Sequence, residues 1–275
     1  MARNRLNLAA GRPHTTPLLN KLGMQKKLGG HIFEEILDPD RRMPSGKILW
    51  EEHPEWYGTP KNQQKTKENA LKTQFCVSQP QLIDFLAKEV LKRLGEEWKN
   101  GDRIDIWGFD TWGDVCNCEQ CKKLGNGSDQ ILYFLSAIRK CLDDAKENGE
   151  LDRSIRLVTT AYEGTSTKQP PKNPVPRNLL DAGDYVVFCP ILRCYEHNLD
   201  DSSCGMNQDY WKALKGWCNS GISVMMLEYY NVSKFEDLPL VFSERLSVKR
   251  VNHPLTLIDF IKFILYITSI FVCIY

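Results

Sequence analysis

The sequence predicts an α/β fold built on a parallel sheet, and three observations predict it. Short runs rich in β-branched and aromatic residues recur along the chain, with helix-periodic segments between them. These strand-like runs are apolar on both faces, the pattern of a sheet covered on each side. Each run also ends in chemically capable residues, as at the carboxyl edge of a parallel α/β barrel. A chain of 275 residues suits one such barrel or two smaller domains.

Taken in order, Arg3 to Leu8 reads as a short strand, and the segment before residue 80 is the least regular. Residues 60–72 are polar and charged and read as an exposed loop, and Phe75 to Val77 reads as another short strand. Gln81 to Lys99 carries Leu82, Phe85, Leu86, Val90, Leu91 and Leu94 at helical spacing, opened by Ser78 and Pro80 and closed by Asn100-Gly101. Ile104 to Gly108 is the next strand. Gln130 to Glu147 repeats the helical pattern through Ile131, Leu132, Leu135, Ile138 and Leu142, and closes at Asn148-Gly149. Strands follow at Ile155 to Tyr162 and Tyr185 to Leu192, then a helix over Asn207 to Cys218 and a strand over Ile222 to Tyr229. Alternation of this kind predicts parallel pairing through right-handed crossovers. No internal repeat and no domain boundary stands out.

Composition narrows the function classes. The net charge of +1, from 36 basic and 35 acidic residues, provides no global field for nucleic acid or an anionic membrane. Ten cysteines are many for a cytosolic enzyme and too sparse for a small disulfide scaffold, so both cytoplasmic and secreted compartments stay open. The basic start lacks an apolar core, so no signal peptide is expected. Residues 255–275 are nearly all apolar but contain Asp259 and Lys262, and the unbroken run from Phe263 to Tyr275 falls short of the ~20 residues of a membrane span. A buried helix or a non-native end is the expectation, with a membrane anchor through 255–275 as the alternative.

The densest chemistry lies between Trp107 and Cys121. Asp110 stands just past a strand, either as a carboxylate facing sugar or as a turn-capping residue. Trp112, in the loop, is the better stacking platform; Trp107 in the strand, like Trp56 and Tyr57, reads as packing. Cys116, Cys118 and Cys121 have the spacing of metal ligands, but a closed zinc site needs four. The fourth would come from Cys76, Cys194, Cys204 or His197, and paired disulfides are the alternative. A structural metal or disulfide ranks above a catalytic metal, and no cofactor is required.

Later strand ends bring Tyr162 and Glu163, then Arg193, Tyr195 and His197, then Glu228 and Tyr229. Glu228 is the natural second carboxylate, since glycoside hydrolysis uses two flanking the scissile bond; the bland alternative is an orienting contact with an arginine such as Arg193. Glu163 is the weaker choice because its loop runs into Pro-rich sequence. His31, after two glycines, His197 and Arg193 suit sugar hydroxyls or a substrate carboxylate. Lone histidines are more often structural.

Several strings together resemble a known family: Gly29-Gly30-His31-Ile-Phe-Glu-Glu-Ile-Leu, His53-Pro54-Glu55-Trp56-Tyr57, Phe75-Cys76-Val-Ser-Gln-Pro, Asp110 with Cys116-Asn-Cys118-Glu-Gln-Cys121, Thr160-Ala161-Tyr162, Arg193-Cys194-Tyr-Glu-His197-Asn-Leu-Asp and Leu227-Glu228-Tyr229. In this order they resemble the domain of unknown function 4838 family, over roughly residues 3 to 245. The resemblance implies a glycoside-hydrolase-like (β/α)8 TIM-barrel core, akin in architecture to α-glucuronidases and hexosaminidases. The family's barrel normally begins upstream of Arg3-Asn4-Arg5-Leu6, and Glu228 stands where the family more often has Asp. The chain is therefore expected to be a fragment, with residues 1–250 an incomplete barrel and 251–275 a tail foreign to the family.

The resulting expectation is a carbohydrate-active hydrolase with Asp110 and Glu228 as the carboxylate pair. His31, Trp112, Tyr162, Arg193, Tyr195, His197 and Tyr229 would line the carbohydrate site, and Cys116, Cys118 and Cys121 would hold a structural zinc or form disulfides. The alternatives are a non-catalytic carbohydrate-binding barrel and a metal or thiol protein organised by the cysteines. Oligomeric state is left open.

Overall fold

The computed structural model describes residues 8–10, 16–23, 25–227 and 229. Among them six strands, β1 (Leu8–Ala10), β2 (Gln25–Gly30), β3 (Arg103–Ile106), β4 (Arg156–Ala161), β5 (Tyr185–Phe188) and β6 (Ser223–Met226), form one sheet in that order. Every neighbouring pair is parallel. The chain therefore advances one strand at a time in a single direction, without the reversal that makes a switch point in doubly wound sheets. Among the described residues the sheet is open and stands as a parallel α/β layer.

Among the described residues eight α-helices accompany the strands: α1 (Thr16–Lys21), α2 (Phe33–Ile36), α3 (Leu49–Glu52), α4 (Pro80–Gly95), α5 (Glu119–Leu124), α6 (Gly127–Glu147), α7 (Arg177–Ala182) and α8 (Gly205–Asn219). In α4, Leu82, Leu86, Val90 and Leu94 recur every four residues, so one stripe is buried and packs against α6. Three residues earlier than predicted, α6 begins behind a reciprocal cap. Asp129 N donates to Asn126 Oδ1 at 3.0 Å, and Asn126 N donates to Asp129 Oδ2 at 2.8 Å.

Because side chains alternate along a strand, the sheet has two chemically distinct faces. Ile104, Ile106, Leu157, Ala161, Val186, Phe188, Val224 and Met226 join the core shared with the helices. On the other face Val158, Tyr162, Tyr185, Val187, Cys189, Met225 and Leu227 form a separate cluster, with Tyr229 packed against it. Toward β2 and β3 this second face turns polar. Lys27 Nζ lies 2.7 Å from Asp105 Oδ2 and 4.5 Å from the Trp107 ring centroid, and Arg103 lies 3.8 Å from Asp105. Full burial pushes the Asp105 carboxyl up, and the two cations pull it back.

The four strands predicted beyond residue 100 all form, each ending before its predicted limit because its last residues peel off into the rim loops, whereas Arg3 to Leu8 lies outside the described residues except for Leu8. The ladder nonetheless continues one residue further: Trp107 N, Cys189 N and Leu227 N donate to Gly30 O, Ala161 O and Phe188 O. Two expectations are corrected. Phe75 to Val77 is not a strand; Phe75 is buried in a loop, edge-on to Phe33, Phe109 and Phe134, so core packing explains its apolar character. Residues 60–72 are not simply exposed, since Lys67–Lys72 winds into a 3-10 helix that buries Ala70.

No helix among the described residues is long and apolar enough to cross a membrane, and residues 251–275 lie outside the described residues.

Candidate functional site

The carboxyl ends of β2, β3 and β4 converge on one small group of side chains. His31 follows Gly29 and Gly30, and Gly29 is obligatory. Its φ is +85°, and a Cβ there would overlap the backbone carbonyl of Asp105 on the adjacent strand. That close approach sets His31 beside the β3 rim. His31 Nδ1 lies 2.6 Å from Gly108 O, and since a carbonyl only accepts, Nδ1 carries the proton. Nε2 then faces Asp110 Oδ2 at 4.0 Å, and the ring stands edge-on to Trp107 with centroids 5.0 Å apart.

Asp110 is held from two sides. Its amide donates to Glu34 Oε1 at 2.6 Å, and its carboxylate rests on Gly164, where a Cβ would overlap Asp110 Oδ1 and the Tyr162 ring. Thr111 N and Trp112 N both donate to Gly164 O, so the loops after β3 and β4 are stitched together. The side chain of Asp110 remains 40% accessible, open enough to meet a ligand. Trp112 adopts φ +54°, a strained conformation for a bulky residue, and is half exposed with its ring edge-on to Tyr162 at 5.5 Å. Burial, then the charge of Asp110, pushes the Tyr162 hydroxyl well above the usual tyrosine range and keeps it protonated.

The structure thus brings His31, Asp110, Trp112 and Tyr162 into one group. Tyr195 and Tyr229 make a second pair on the same edge, with Tyr229 N donating to Tyr195 Oη at 3.0 Å. Arg193 is buried, 3% exposed, with its guanidinium 3.9 Å from the Tyr195 ring centroid. It supports that ring rather than standing open in the rim. His197 lies apart, exposed in the loop after β5. Glu228 lies outside the described residues. Glu163 turns toward α8, where Oε1 is 3.3 Å from Lys168 and the carboxylate helps raise the Tyr210 hydroxyl after burial has done so.

Glu34 was not anticipated from the sequence. It is a carboxylate from the first turn of α2 placed directly at Asp110. A side chain bonded to an amide 76 residues away leaves no local pattern, and only the Gly-Gly-His string before it marks the segment. A cavity of about 570 Å³ opens at the opposite edge of the sheet, lined by Arg103, Arg139, Arg153 and Tyr185 among others, and none of the predicted site residues reaches it.

The cysteine cluster gains its fourth member. Cys76, Cys116, Cys118 and Cys121 place their sulfurs within 4.8 Å of one another, and all four are free thiols. Cys76 Sγ is 3.7 Å from Cys118 Sγ and 3.8 Å from Cys121 Sγ. A disulfide would need ~2.05 Å. Backbone amides already point at the sulfurs: Thr59 N donates to Cys116 Sγ at 3.3 Å and Cys121 N to Cys118 Sγ at 3.4 Å. Hydrogen bonds from Cys116 and Cys121 hold the Cys76 thiol far below the usual range, whereas Cys116 and Cys76 drive Cys121 up. An arrangement that favours thiolate at its centre and surrounds it with donors can hold a metal ion.

A family model described as Domain of unknown function (DUF4838) matches residues 12–242. No curated protein and no solved structure matches the chain.

Proposed function

The chain belongs to the DUF4838 family, and from that premise we propose that it is a carbohydrate-active hydrolase working at the mouth of a (β/α)8 barrel. The unidirectional order of six parallel strands supports the barrel reading, because such a sheet curls toward closure when further strands are added. The observation that carries the functional reading is the Asp110 carboxylate, partly exposed at the carboxyl edge and flanked by His31, Trp112 and Tyr162.

Glycosidic bond cleavage needs one carboxyl group to protonate the leaving oxygen and another to attack the sugar or activate water. Asp110 supplies one. Glu228 is assigned the second role, and Glu34, which accepts from the Asp110 amide, is the described alternative. Trp112 offers a ring face for a pyranose, and the protonated Tyr162 hydroxyl can donate to a sugar oxygen. His31, which donates from Nδ1 to Gly108 O, turns Nε2 toward Asp110 and toward any sugar hydroxyl bound there. Tyr195 and Tyr229 extend the apolar wall, with Arg193 bracing Tyr195.

The four thiols are assigned a structural zinc. A tetrahedron with Zn–S of about 2.3 Å has edges of about 3.8 Å, and the two sulfur separations of 3.7 and 3.8 Å support that assignment.

The test is cleavage of aryl-glycosides and glycans by the chain and its variants. Asp110→Asn is expected to abolish turnover while sugar binding persists, and either Glu228→Gln or Glu34→Gln should do the same and so identify the partner carboxylate. Unchanged turnover in Asp110→Asn removes Asp110 from the chemistry. Sugar binding without hydrolysis, unaffected by loss of all three carboxylates, would instead mark a carbohydrate-binding barrel.

A further inference from the structure

Beyond β5 the chain gathers a second set of soft ligands that the hydrolase reading does not use. Cys194, His197 and Cys204 bring two sulfurs and a ring nitrogen within 4.8 Å of one another, and Cys194 Sγ is 3.2 Å from His197 Nδ1. Two ligands of one tetrahedral zinc, a thiolate and an imidazole, would stand about 3.6 Å apart. The donors are close to that arrangement before any ion is added.

The loop that carries them is rigidly built. Asn207, fully buried in the first turn of α8, accepts from Cys194 N at 2.8 Å through Oδ1. Its Nδ2 donates to Cys194 O, His197 O and Asn198 O at 2.9, 3.2 and 3.1 Å. One amide side chain therefore clamps the backbone of two of the three ligands. Asp201 fixes the approach to the third: its carbonyl accepts from Cys204 N at 3.2 Å, and its carboxylate accepts from Ser203 N at 2.8 Å. Cys204 itself is buried against α8, Cys194 is half-buried, and His197 is exposed.

We infer that residues 194–204 form a second zinc site, of two-cysteine, one-histidine type, whose fourth position is open to water or to a small anionic ligand. Two thiolates and an imidazole select zinc over magnesium or calcium. Three protein ligands with an accessible face leave a coordination position free, unlike the closed four-thiol site. The ion ties the start of the loop to its end and holds Tyr195, which lies between two of its ligands, against Tyr229 at the rim. His197 is then a metal ligand rather than a sugar contact.

Metal analysis of the full chain, purified without chelator and without added zinc, tests the assignment. The expected content is two zinc ions per chain. His197→Ala, at an exposed position, should lower it to one with the fold retained by circular dichroism, and Cys204→Ser should do the same. Cys76→Ser should remove the other ion only. Cobalt substitution gives a second reading: His197→Ala should lose part of the thiolate-to-cobalt absorption, and Cys76→Ser a different part. Zinc content unaffected by His197→Ala overturns the proposal. So does a peptide map of the unreduced protein in which Cys194 and Cys204 are joined as a disulfide. Loss of the Cys194 site leaves the hydrolase reading intact, because glycoside turnover is read in a separate assay.

Discussion

Under the proposed zinc assignment, chelation at the four-thiol cluster should destabilise the fold by an amount that can be worked out beforehand. The cluster joins Cys76, from the loop leading into α4, to Cys116, Cys118 and Cys121 around the start of α5. Its four sulfurs lie within 4.8 Å of one another in the folded chain, two pairs of them at 3.7 and 3.8 Å, so a zinc ion would bind the folded chain far better than the unfolded one. With free zinc about 1,000-fold above its dissociation constant, linkage gives ~4 kcal/mol of stabilisation. At roughly 2–4 °C of melting temperature per kcal/mol for a domain approaching this size, chelation should lower the midpoint by about 8 °C or more. Differential scanning fluorimetry with and without a strong chelator measures this, and Cys76→Ser should lower the midpoint by most of that amount and leave only the smaller chelator response of the Cys194, His197 and Cys204 group. Metal uptake also displaces thiol protons, so the zinc-dependent increment should shrink as pH falls. An unchanged midpoint in chelator, together with a native mass showing lost thiol hydrogens, would refute the argument and leave disulfides as the cross-link.

Other perturbations give distinct readouts. Gly164→Ala places a methyl group against Asp110 Oδ1 and the buried Tyr162 ring, and a displacement of this kind should lower kcat/KM by ~10²-fold and cost about 1–3 kcal/mol in urea unfolding. Asp184→Ala removes a buried carboxylate that accepts from Arg139 Nε at 2.8 Å, Arg139 Nη2 at 2.6 Å and Leu157 N at 2.8 Å. Stranding Arg139 in the core should cost about 3–5 kcal/mol in urea unfolding. Burial raises the hydroxyls of Tyr57, Tyr162, Tyr185 and Tyr210 above their ordinary value. The folded chain therefore keeps protons that the unfolded chain releases from pH ~10 upward, so stability should be flat below that pH and fall above it. Denaturant midpoints across the alkaline range check the sign.

The parts of the fold legible in the sequence are those where one physical demand dominates. Strands β3 to β6 are covered on both faces, and Ile104, Leu157, Val186 and Val224 announce it through unbroken β-branched and apolar runs. Strand β2 does not, because it presents Lys27 to a buried aspartate and Gly29 to a neighbouring carbonyl. Its sequence looks like surface. The same logic divides the site. Asp110, Trp112 and Tyr162 could be placed by their position just after strands, and the structure brings them together. Cys76 could be named only as one of several fourth ligands, because 40 residues separate it from Cys116 and only the folded chain selects among them. Glu34 escaped notice for the same reason.

The cysteine cluster and the rim site are parts of one mechanical unit. Gln74, two residues before Cys76, is buried, and its side chain donates to Phe109 O at 2.7 Å and accepts from Phe109 N at 2.8 Å. Its own amide donates to Asp114 O at 2.9 Å. Phe109 immediately precedes Asp110, and Asp114 stands two residues before Cys116. The segment from Phe109 to Cys121 is therefore clamped to the segment around Cys76 twice, once by an amide side chain at the carboxylate end and once by sulfur at the other. The glutamine fixes the backbone at Phe109 and Asp114, and the thiols gather the loop beyond it. Together they hold the loop at both ends, so that Glu34 and Gly164 need only set the last few degrees of the Asp110 side chain. A carboxylate that must keep a fixed distance to a substrate gains from such double anchoring, because an ångström of play can cost ~10²-fold in rate. Under the proposed hydrolase reading the thiols would contribute through position alone.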